Sequence, residues 1–141
     1  MIRSFRFIVL IIPFWLIQLS VLGQNYIGMH KDDIRKLTPK EYKGFVFEKE
    51  VENGDRSFIK FVNVIEEQTL LFMLNEKGIC TSVSRMYNTW LYDQVQKELK
   101  KNYKKKGSDT WIESKDGKKY EIKLKNGEWF ITVTTRPITN N

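Results

Sequence analysis

The sequence predicts an α+β fold. The expected architecture is an antiparallel β-sheet of about seven strands, joined as meander hairpins, packed against one long helix and one or two short N-terminal helices. Three observations carry this expectation. Several stretches alternate apolar and polar residues and are separated by Asn-Gly or Asp-Gly pairs, which favour tight turns between antiparallel strands. The stretch from Asn88 to Gly107 is amphipathic with a helical period. Helix-start chemistry occurs twice between Tyr26 and Gly44. Helices grouped on an antiparallel sheet define the α+β class.

In chain order, Met1 to Gly23 reads as a secretory signal peptide. Arg3 and Arg6 precede an apolar run from Phe7 to Ile17, and Val21 and Gly23 suit a cleavage site before Gln24. The rival reading is an uncleaved anchor, but Pro13 interrupts a segment shorter than the ~20 residues that a spanning helix needs. The expectation is therefore an exported protein, periplasmic or secreted, with no membrane span after cleavage. Residues 24–141 then form one α+β domain, with 137–141 as a flexible tail.

Tyr26 to Gly44 is expected to be helical in two short pieces. Asp32 and Asp33 suit a first turn, where negative charge complements the helix dipole. Thr38-Pro39-Lys40-Glu41 has the form of a capping box with proline at the first helical position, and Gly44 ends the piece. The period then changes to two. Phe45, Phe47 and Val51 alternate with Glu48, Glu50 and Glu52, Asn53-Gly54 turns the chain, and Phe58 to Val64 returns. Thr69 to Leu74 is continuously apolar, as expected of a strand covered on both faces. Ile79 to Met86 runs back beside it.

Between Asn88 and Gly107, Leu91, Val95, Leu99 and Tyr103 share one stripe, and Lys97, Lys100, Lys101, Lys104 and Lys105 lie opposite. Asn88 suits the N-cap, and Gly107 suits the position just past the end. Three further strands are expected at Thr110 to Ser114, Tyr120 to Leu124 and Glu128 to Thr135, turning at Asp116-Gly117 and Asn126-Gly127. Gly44 lies nine residues before Asn53, and Gly107 nine before Asp116. Helix, glycine, strand and turn thus recur in order, which hints at an internal repeat.

Tyr26-Ile27-Gly28-Met29-His30-Lys31-Asp32-Asp33-Ile34-Arg35-Lys36-Leu37 resembles the opening helix of the small lipoprotein components of the outer-membrane β-barrel assembly machinery and their relatives of the β-lactamase-inhibitor-protein-like fold. That family tends to open with Gly-Met or Gly-Trp, a polar residue, two acids and an aliphatic. The match covers these twelve residues. The chain departs from the family in lacking the lipid-bearing cysteine and in placing its long helix between two sets of strands. The resemblance implies two helices against an antiparallel sheet and a binding or scaffolding role in the envelope.

The chemistry-bearing residues are few. One histidine, His30, makes no triad and reads as a polar helix-start residue. Cys80, the only cysteine, is expected to be buried. The sequence carries no zinc spacing, phosphate-binding glycine loop or nucleophile elbow, so no cofactor or metal is expected. Glu66 and Glu67 are the carboxylate pair on which a hydrolase reading would rest.

Charge supplies the remaining hint. The net charge is +7, and most of the excess is local: Lys97 to Lys125 holds eleven lysines against five acids. Lys97, Lys100, Lys101, Lys104, Lys105, Lys118, Lys119 and Trp111 form the candidate anion- or partner-binding set. Lysines also complement a helix C-terminus and keep a small domain soluble, without any ligand. Export disfavours nucleic acid and leaves an acidic protein surface or an anionic envelope glycolipid or glycan as the expected partner. The leading functional expectation is a small exported, non-enzymatic binding or scaffolding protein with a basic helix face. The alternatives are a secreted carboxylate-dependent hydrolase and an inhibitor of a secreted enzyme.

Overall fold

The computed structural model describes residues 24–139. The signal segment expected at 1–23 lies outside them, as do the last two residues of the expected tail. The described part begins with a 3-10 turn at Gln24–Tyr26 and enters α1 (Lys31–Glu41). Strands β1 (Val46–Val51), β2 (Ser57–Asn63), β3 (Gln68–Leu74) and β4 (Cys80–Asn88) follow. After a second helix, α2 (Tyr92–Asn102), come β5 (Lys104–Gly107), β6 (Thr110–Lys115), β7 (Lys118–Asn126) and β8 (Phe130–Pro137).

This overturns the expected count of about seven strands beside one long helix. The sheet has eight antiparallel strands in the order β1-β2-β3-β4-β8-β7-β6-β5, and both helices have eleven residues. Each half is one helix followed by a four-strand meander, and the last strands of the halves, β4 and β8, pair at the centre. The suspected repeat is therefore present as topology.

The long helix fails at both ends. Asn88 ends β4 instead of capping a helix, and Thr89–Leu91 forms a 3-10 turn. Tyr103 is already extended (φ −132°, ψ 156°), and Gly107 lies in β5. The reason is visible in the stripe. A helix continued by one turn would bring Lys106 onto its apolar side, whereas a short edge strand accepts exposed lysines and is protected by them. β5 is such a strand, at the edge of the sheet and exposed throughout.

The N-terminal expectation also changes. α1 is one helix and runs through Pro39 in its last turn. Thr38 is not a cap: it is buried, and its hydroxyl donates to the Ile34 carbonyl at 2.7 Å. Glu41 instead accepts from the Tyr26 hydroxyl at 2.7 Å. The N-cap is His30, whose Nδ1 accepts from the Asp32 N–H at 3.2 Å. Gly44 does end the segment, with φ +88°, a conformation that glycine adopts freely.

Both helices rest on one face of the sheet. Ile34 of α1 packs with Phe61, Leu70 and Phe72, while Val95 and Leu99 of α2 pack with Trp111, Ile122 and Val133. Arg85, only 6% exposed, stands between these two clusters. Its guanidinium lies 5.4 Å from the Phe45 ring centre and 5.0 Å from that of Tyr87. Its Nε and Nη2 donate to Gln68 Oε1 at 3.2 and 2.7 Å. Cys80 is buried as expected, and burial pushes its thiol pKa up to about 12. A register shift between Met73 and Leu74 brings both Cys80 and Val83 to the core side, where strict alternation would separate them. The last strand includes Pro137, and the Ile138 N–H donates to the Lys119 carbonyl at 2.9 Å, so the expected tail is shorter than 137–141.

Candidate functional site

The face of the sheet opposite the helices is not the doubly covered layer expected around β3. Leu70, Phe72 and Leu74 are buried under α1, but Leu71 and Met73 on the other side are only half-buried. Cross-strand partners point to the same side of a sheet, so the register defines this open face row by row. One row runs Val46, Val62, Thr69, Met86, Thr132, Lys125. The next runs Lys49, Lys60, Leu71, Ser84, Thr134, Lys123, Thr110. Phe58 and Met73 extend the apolar end.

The open face is therefore graded. Its β1–β3 side is mostly apolar. Its centre carries hydroxyls, with Ser84 and Thr134 hydrogen-bonded at 2.9 Å. Its β5–β8 side is basic: Lys104, Lys119, Lys123, Lys125 and Arg136 share it with one acid, Glu121. Lys106 leans onto that acid at 3.8 Å.

The structure divides the candidate lysines among four places. Lys97, Lys100 and Lys101 are exposed on α2. Lys104 and Lys119 belong to the open face, but Lys105 pairs with Trp111 and so points to the helix side of β5. Lys118 lies beside the Asp116-Gly117 turn. The expected single basic helix face is therefore absent, because the helix ends at Asn102. Trp111 is 0% exposed and belongs to the core, so it cannot contact a partner. Lys123 and Lys125, which the sequence also places close to this lysine run, join Lys119 on the open face, because their i, i+2 spacing in a period-two stretch puts them on one strand face.

A second feature is a cavity of about 480 Å³ at the end of the sheet where the β2–β3 turn meets the start of α2. Its apolar lining is Ile65, Leu91 and Val95, with Trp90 at its mouth, 75% exposed. Its charged lining is Glu66, Glu67 and Glu98. Glu66 accepts from Gln68 Nε2 at 3.4 Å, and Glu67 accepts from Asn88 Nδ2 at 2.6 Å. Desolvation raises the Glu98 pKa above the ordinary glutamate range, opposed by the nearby charges of Arg85 and Lys101. Tyr87 also lines the cavity. Burial lifts its phenol to about 12, and among the described residues its hydroxyl has no hydrogen-bond partner.

Among the described residues, no group of three or more His, Cys, Asp or Glu side chains is placed to hold a metal ion, and no helix is long and apolar enough to cross a membrane. Comparisons with protein-family models, curated proteins and solved structures find no significant match to the chain.

Proposed function

We propose that this is an exported, non-enzymatic binding protein and that its open sheet face docks an acidic protein surface. The observation that supports it is the graded face itself. Eight strands present a broad, half-buried surface on which an apolar region adjoins a basic one across a hydroxyl-bearing centre. Sheets with one uncovered face normally turn a polar side to water. Here Phe58, Val62, Leu71, Met73 and Met86 occupy that side. The lysines of β7 supply electrostatic complementarity to an acidic patch, and the apolar half supplies area that gains by leaving water. Arg3, Arg6 and the apolar run after them support export.

The test compares two charge reversals. Lys123→Glu with Lys125→Glu alters the open face, and Lys97→Glu with Lys100→Glu alters the outside of α2. Binding to a partner isolated from envelope extract should be lost in the first pair, retained in the second, and weakened steeply by salt. Loss only in the helix pair contradicts the proposal. Vesicles bearing an anionic glycolipid form the parallel arm, and salt-sensitive binding to them alone would identify a lipid partner instead.

The hydrolase alternative has one observation in its favour: Glu66, Glu67 and Glu98 line the same cavity. It requires glycan cleavage that disappears in Glu66→Gln or Glu67→Gln while the fold survives.

A further inference from the structure

The cavity beside α2 is a separate feature from the open face. The protein carries a net charge of +7, yet among the described residues the cavity is lined by three glutamates and by no lysine or arginine. Ile65, Leu91 and Val95 give it an aliphatic side next to Gln68, Gln94 and Tyr87, and an exposed indole stands at its mouth. A volume of about 480 Å³ is in the range of small-ligand sites, which are mostly apolar with a few convergent polar groups. Two further observations point to a missing counterpart. Glu98 stays partly desolvated even with the charges of Arg85 and Lys101 nearby, a state that a further cation would relieve. Tyr87, only 3% exposed, keeps a hydroxyl without a partner among the described residues at the same cavity, and buried polar groups are ordinarily paired.

We propose that this cavity binds a small organic ammonium ion carrying an apolar body. The apolar body fills the space between Ile65, Leu91 and Val95. The ammonium head lies among the carboxylates, with the Trp90 ring as a cation–π face. A carboxylate ligand would meet three like charges, and a neutral polyol would leave the aliphatic walls poorly matched. Arg85 acts on Glu98 through its charge, but it is not a lining residue of the cavity, and its Nε and Nη2 donate to Gln68 Oε1.

The probes are n-hexylammonium and benzyltrimethylammonium, with hexan-1-ol and hexanoate as isosteric controls. Titration is followed by calorimetry and by the indole N–H resonance of Trp90. Both cations should bind and shift that resonance, with affinity at least about tenfold above hexan-1-ol, and hexanoate should not bind, as expected if charge complementarity sets specificity. Trp90→Ala should weaken benzyltrimethylammonium by about three- to thirtyfold. Glu98→Gln should weaken both cations, and Lys100→Gln should leave them unchanged. Equal affinity for hexan-1-ol, or unchanged affinity in folded Trp90→Ala and Glu98→Gln, would overturn the proposal. The Lys123/Lys125 reversal leaves this cavity untouched, so failure here is distinguishable from failure of the docking reading.

Discussion

Removing the acceptor beneath Arg85 should destabilise the fold more than deleting the whole polar pair. Arg85 and Gln68 are 6% and 5% exposed, and two guanidinium N–H groups converge on one carboxamide oxygen at 3.2 and 2.7 Å. Hydrogen bonds to a charged group contribute about 1.5–3 kcal/mol each, and a buried donor deprived of its acceptor keeps its desolvation cost. The two bonds share an oxygen, so they do not add fully. Gln68→Ala should then cost about 2–4 kcal/mol. Gln68→Glu keeps the acceptor and should recover most of that loss. The double variant Arg85→Met with Gln68→Leu replaces the pair with apolar groups of similar volume and should fall within about 1.5 kcal/mol of the parent. Urea denaturation followed by tryptophan fluorescence, at constant m, gives the ordering. A loss below about 0.5 kcal/mol in Gln68→Ala, or a double variant less stable than Gln68→Ala, would refute the reasoning.

Other consequences concern the helices, a turn and pH. Leu99→Ala, at a fully buried contact of α2, should cost about 2–5 kcal/mol in the same assay, whereas Lys101→Ala should change little. Gly44→Ala meets both φ +88° and a Cβ 2.8 Å from Asn63 Nδ2, and should destabilise by about 1–3 kcal/mol. Gly107→Ala has open space and no positive φ, and should be within about 0.5 kcal/mol of neutral. Folded Glu98 holds its proton more tightly than unfolded Glu98. Its contribution is therefore complete below the ordinary glutamate pKa and declines as pH rises through the raised folded value. Glu98→Gln should flatten the stability–pH curve in that interval, and an unchanged curve would show that the carboxyl is not desolvated.

The sheet was the more legible part of the fold. Asp116-Gly117 turns the chain as expected, both residues having positive φ (53° and 75°). Cys80 is buried in accord with its chemistry, but Trp129 and Phe130, large aromatics that the sequence would place in the core, are 76% and 52% exposed. The helices were less legible because their ends depend on tertiary demands. Lys104 to Lys106 continue a plausible helical surface, and only the need to cover the β6 edge makes them a strand. Thr38-Pro39 reads locally as a start, yet Thr38 is held inside α1 by its hydrogen bond to Ile34.

The same limit applied to function. Lysine counting found the excess charge but assigned it to a helix face, since the strand that carries Lys104 and Lys106 was not foreseen. The cavity joins Glu66 and Glu67 to Glu98 and Trp90 across more than twenty positions of sequence. No local pattern encodes that meeting. Trp111 and Trp90 illustrate the difficulty: the first is wholly buried and the second three-quarters exposed, and only the strand register and the β4–α2 link separate their roles.

The docking claim is tested most directly by photo-crosslinking in envelope extract, with a benzophenone side chain introduced at Thr132 on the open face or at Lys100 on the outside of α2. The account predicts an adduct with an acidic protein from Thr132, abolished by Lys123→Glu with Lys125→Glu, and none from Lys100. Adducts from Lys100 with none from Thr132 would contradict it.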